Sequence, residues 1–240
     1  MQLDAPAVIH FSGILAASGA LLYAISDVFL LADEVGPRET GPGATVADFE
    51  PYAVRPSLAK DLVRLASLPA SRLAWGGLLG VLVTPLVLAG LWPMYYGLRP
   101  AGPWLALVPT LLLAYALIIA PFVHGSFIYL EQNAQVLARL SAEARPVLGP
   151  IFRLQQKVLF AAYAIIAVPA LVASLLFTII VASADTLLPR WMAAVNPVTV
   201  IVAWLLLKRI LPQQVTKYAE GAGFNIGFFL FFALMTIALW

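Results

Sequence analysis

The stretch WLALVPTLLLAYALIIAPFVHGSFIYL, residues 104–130, contains no Asp, Glu, Lys or Arg. Crossing ~30 Å of hydrocarbon takes roughly 20 apolar residues at about 1.5 Å of rise each. This run exceeds that length and reads as a transmembrane helix. Five further apolar runs lie at about residues 7–32, 73–92, 158–183, 192–211 and 220–240. The expected fold is therefore all-α: a polytopic six-transmembrane-helix bundle forming a single domain over 1–240.

Composition agrees. Hydrophobic residues make up 62% of the chain, charged residues 11%, and mean hydropathy is +0.94. Soluble domains carry about 25% charged residues. A net charge of +2 is too small to point to nucleic acid. Because there is no cysteine, disulfides, thiolate nucleophiles and thiolate metal sites are excluded. Met1 leads almost directly into the first run, which is too long for a signal peptide and lacks a basic flank, so it is expected to be retained.

Charge distribution assigns the sides. Of the 14 Lys and Arg residues, all but Arg99 and Arg190 fall in the linkers 33–72, 139–157 and 208–217. The positive-inside rule puts those linkers in the cytoplasm and both termini outside. Trp92, Tyr95, Tyr96, Trp104 and Trp191 fall where an outer aromatic belt belongs. The expected location is a cell inner (plasma) membrane, N-out and C-out.

The first cytoplasmic linker divides in two. Residues 33–56 are rich in Gly, Pro and acids and read as an irregular loop. Residues 57–71 read as a short interfacial helix, with Ser57 as N-cap, Leu58, Leu62 and Leu65 on one face, and Lys60, Asp61 and Arg64 pointing away. Gly76-x-x-x-Gly80 and Gly223-x-x-x-Gly227 permit close helix approach. Pro85, Pro109, Pro121, Pro169 and Pro197 are expected to kink their helices.

Intramembrane polar groups are costly and usually face the protein interior. Asp27 lies about five residues, ~8 Å, from the cytoplasmic end of the first span. His124 lies in the cytoplasmic half of the third span, and Asn225 about six residues, ~9 Å, into the last from the same side. The three share one depth on three helices. An Asp beside a His suits a general base or proton relay, so Asp27 and His124 are the candidate catalytic pair. Asn225, Ser126, Tyr129 and Tyr218 are candidate ligand contacts, and Arg153 and Lys157 candidate holders of an anionic headgroup. Ser26 extends the cluster, and Glu131 and Gln156 stand at its mouth. The competing structural reading pairs Asp27 with Arg72 or Lys157 and has His124 donate to a carbonyl freed by a proline.

Other chemistries find no signature. His10 and His124 sit toward opposite faces, so they cannot share zinc or ligate one haem. No span carries a lysine for a retinal Schiff base, and no phosphate loop or serine elbow occurs. The cofactor is left unknown. Transport lacks its usual marks, since no internal repeat, clearly broken helix or midplane carboxylate is visible.

Three functions stay open. The leading one is binding or transforming an apolar or amphipathic small molecule, lipid- or isoprenoid-like, near the cytoplasmic leaflet. The others are a small-solute or proton-coupled transporter and a non-catalytic subunit of a membrane complex. RLAWGGLLGVLVTPLVLAGLW (72–92), AYALIIAPFVHGSFIYLEQNAQ (114–135) and EGAGFNIGFFLFFALMTIALW (220–240) resemble a family of uncharacterised prokaryotic multi-pass membrane proteins of similar length. The resemblance implies a prokaryotic inner-membrane protein and carries no activity with it.

Overall fold

The six apolar runs become helices of very unequal length. A computed structural model describes residues 5–31, 45–212, 216 and 221–240. Its long helices are α1 (Ala5–Leu31), α4 (Ala70–Leu88) continued by α5 (Leu91–Leu98), α6 (Pro103–Arg139) and α7 (Arg145–Ser183). Two short ones, α2 (Val46–Phe49) and α3 (Ala59–Ala66), lie between α1 and α4, and α8 (Pro197–Leu207) and α9 (Gly223–Ala238) complete the chain. Four segments, Pro6–Leu31, Ala70–Ala101, Pro103–Arg139 and Arg145–Ser183, are long and apolar enough to cross a membrane, while α8 and α9 are shorter apolar helices. The protein is thus an all-α polytopic membrane bundle.

Neighbouring helices run antiparallel. At the start of α1, His10 Nε2 lies 2.9 Å from the carbonyl of Leu239, and its ring stacks on Trp240 at 4.3 Å. At the other end of α1, Asp27 meets Asn225 near the start of α9. Both described ends of the chain therefore share one end of the bundle, here called upper. In lateral order the helices run α8, α9, α1, α4, α6, α7, with α5 packed on α6 and α1. Gly102, at φ 130°, makes the turn from α5 into α6 in a conformation that L side chains rarely adopt.

The expected fifth span, 192–211, is broken. A 3₁₀ turn over Arg190–Ala194 is followed by α8, which Asn196 caps by accepting from the Thr199 N–H at 3.0 Å. Pro197 occupies the first helical turn instead of kinking a helix, the position where its missing N–H costs nothing. Asn196 donates to the Thr178 hydroxyl of α7 at 2.9 Å, and with Pro197 it lines a small cavity shared with Ser174 and Leu113. Ser174 lies nine residues before the upper end of α7 and Leu113 ten beyond the start of α6, so α8 begins roughly 14 Å below the top.

The helix expected over 57–71 is shorter and serves a different surface. A 3₁₀ turn over Pro56–Leu58 precedes α3, so Ser57 is not its cap. Ala59, Leu62 and Leu65 are buried in the lower core with Leu30, Leu130 and Leu137. The apolar face of α3 therefore lies against the bundle, on α6, and Lys60 and Asp61 are exposed. Arg64 turns inward and donates to the carbonyl of Leu31 at the end of α1. Asp48 pairs with Arg145, and Gln156 holds the preceding loop through Val54 N–H and Tyr52 C=O, each at 3.0 Å.

Candidate functional site

On α1, Tyr23, Ser26, Asp27 and Leu30 recur at helical spacing and are all buried. The stripe faces α4, whose glycines let both neighbours come close. Gly76 meets Phe29 and Leu30 of α1, and its carbonyl accepts the Ser26 hydroxyl proton. A Cβ at Gly77 would overlap Ile128, and one at Gly80 would overlap the His124 ring. The Gly76-x-x-x-Gly80 signal thus places a histidine as well as packing a helix.

The three polar residues do meet in space. Asn225 Nδ2 donates to Asp27 Oδ2 at 2.6 Å. The other carboxylate oxygen, Oδ1, lies 3.9 Å from His124 Nδ1, and Ser26 Oγ lies 3.3 Å from the same nitrogen. The single Ser26 proton goes to Gly76 O, so the contact with the ring has Nδ1–H as donor. A neutral His124 then presents Nε2 as its lone-pair nitrogen, and no hydrogen bond engages that atom among the described residues. The tilted Tyr23 ring, 4.7 Å away between centroids, covers His124, and its hydroxyl bonds Thr84. Tyr163 of α7, 39% exposed, lies within electrostatic range of Asp27. Asn225 spends its amide nitrogen on Asp27, so the set suits hydrogen bonding and proton transfer better than a metal ion, which would need further ligands.

The remaining candidates disperse, for a geometric reason. At about 100° per residue, Ser126 lies ~200° around α6 from His124 and Tyr129 ~140° around. Ser126 donates to the Phe122 carbonyl of its own helix at 2.6 Å, and Tyr129 is 64% exposed. Arg153 is exposed and donates to the Pro51 carbonyl at 3.3 Å; Lys157 is also exposed. Tyr218 lies outside the described residues. The pairing of Asp27 with Arg72 is replaced as well. Arg72 donates to the carbonyls of Phe29, at 2.6 Å, and Val28, at 3.2 Å, while Asp27 accepts from Asn225.

Sequence reading missed Tyr23 and Thr84. The i, i+4 spacing of Tyr23 and Asp27 is a signal for the first; nothing in the sequence links Thr84 to it. Residues 8–240 match a family described as a family of unknown function (DUF6796). No curated protein and no solved structure matches the chain.

Proposed function

The chain belongs to this family of unknown function, and from the site geometry we propose that it binds a small amphipathic molecule in the lower half of the bundle. The polar end of the molecule meets Asp27, His124 and Asn225, and its apolar part lies along α7 toward Tyr163. One observation carries this reading: three helices bring three polar side chains to one point and leave His124 Nε2 unengaged. Asp27 and Ser26 orient the imidazole, and Nε2 is the atom able to accept a hydrogen bond or a proton from the ligand. By the positive-inside rule the lower end faces the cytoplasm, which puts the site in the inner leaflet.

Native mass spectrometry of the protein in mild detergent tests this. The expected outcome is a discrete bound molecule in the wild type that is lost in His124→Ala, with the variant still folded. A bare wild type, mixed bulk lipid, or equal occupancy in the variant would overturn it.

A second reading, a proton-coupled small-solute carrier, draws support from the broken fifth pass. Interrupted helices that begin inside the membrane are a mark of transporters, and α8 begins roughly 14 Å below the top. Liposome flux that depends on Asp27 is expected on this reading. An Asp27→Asn variant with full flux removes the residue from any such mechanism.

A further inference from the structure

Seven residues after His124, two turns lower on the same face of α6 and ~10.5 Å away, stands Glu131. It is 0% exposed, and neither of its carboxyl oxygens has a hydrogen-bond partner among the described residues. Two arginines are close enough for their charges to reach it, Arg72 of α4 and Arg64 of α3. Arg72 donates to the carbonyls of Val28 and Phe29, and Arg64 to that of Leu31, with the Asp61 carboxylate 3.9 Å from the Arg64 guanidinium. Their guanidinium groups thereby clasp the last described turn of α1. On α6 itself His124 lies two turns above, and Gln135, one turn below, donates to the Leu68 carbonyl at 2.7 Å.

An ionised carboxylate buried without a donor is strongly disfavoured, and a neutral acid far less so. We infer that Glu131 is a second proton-binding site of this protein, holding its proton while Arg64 and Arg72 clasp the end of α1. Loss of that proton creates a buried anion within reach of the charge of those same guanidinium groups. Turning them to Glu131 releases the carbonyls of Val28 and Phe29, which directly follow Asp27. The proton on Glu131 is therefore linked to the position of the turn that carries Asp27. The proton site stands without the ligand reading; its effect on ligand rests on that reading.

Infrared spectroscopy of the purified protein tests the site directly. At neutral pH the wild type should show a protonated-carboxyl carbonyl band that disappears in Glu131→Gln and shifts in Glu131→Asp. The Gln variant, which keeps the neutral shape, should melt where the wild type does. Raising the pH should abolish the band and speed hydrogen–deuterium exchange at residues 28–31 in the wild type, beyond any change in Glu131→Gln. A wild type without the band, or a Gln variant that melts well below the wild type or fails to fold, would show Glu131 to be a structural anion for the arginines. Equal exchange at residues 28–31 in both proteins would sever the link to α1. Native mass spectrometry is a separate readout, so failure of the ligand reading leaves the infrared result standing.

Discussion

Toward its upper end the bundle packs Phe177, Phe231, Phe232, Met94 and Met192, all essentially inaccessible, with Phe177 and Phe231 in an edge-to-face contact at 5.2 Å. Toward the lower end the same helices bring together Ser26, Asp27, His124 and Glu131, also buried. Both halves exclude solvent, but by different means. Apolar rings interdigitate without needing partners, whereas each lower side chain must find a donor or acceptor or change its charge state. The upper half tolerates replacement by any well-fitting apolar group; the lower half depends on individual atoms. That contrast is what the proposed site in the lower half draws on.

The largest effect that would sharpen the contrast is in the aromatic core. Phe232 is fully buried between Phe228 and Phe231. Phe232→Ala should cost about 3–5 kcal/mol in unfolding yet leave any ligand bound at the native temperature. Loss of ligand at unchanged stability would break the division between halves. Gly80→Val comes next, because its side chain enters the His124 ring. It should cost about 1–3 kcal/mol and also abolish ligand binding, read by melting and native mass spectrometry together. Asn225→Leu leaves Asp27 without its donor and should cost about 1–3 kcal/mol, with an unchanged melting curve counting against the bond. Gly125→Ala, beside His124 in sequence, should instead be neutral or stabilise by about 0.5–1 kcal/mol, since its Cβ meets only Val81 at 3.9 Å.

The smallest effect lies outside the membrane. The Asp48 carboxyl is held down from 3.8 to about 2 by the Thr45 backbone N–H, then by Arg145 and the Thr45 hydroxyl. Its folded pKa is depressed, so its contribution is complete above the ordinary carboxylate range and fades as pH falls from about 4 toward 2. Asp48→Asn should flatten that part of the melting-versus-pH curve by a small amount. An identical slope in both proteins would show that the pair does not tie the lower loop to α7.

The site was partly legible because depth is a sequence property and azimuth on one helix nearly is. Asp27, His124 and Asn225 could be placed at one level by counting residues from the polar linkers. Proximity along the chain groups Tyr129 and Ser126 with His124, although helical rotation turns them ~140° and ~200° away. The same rotation argument would have promoted Glu131, only ~20° off the His124 face, from the mouth of the cluster to its interior. The break in the expected fifth span is also written in Asn196-Pro197, a helix-start signal inside a run that hydropathy alone joins into one span.

Composition and apolar run length determined the all-α membrane class, because lipid leaves a backbone few ways to satisfy its own hydrogen bonds. Residue counting determined the common depth of the three polar groups, because helical rise is constant. Which helices are neighbours was decided only by tertiary packing, through Gly76, Gly77 and Gly80, where missing side chains let α1 and α6 close on α4. Packing also decided which carbonyls Arg64 and Arg72 reach, and so which carboxyl was left without a donor. Hydrogen-bond partners from distant parts of the chain depend on the full set of helix contacts, and no local pattern encodes that set.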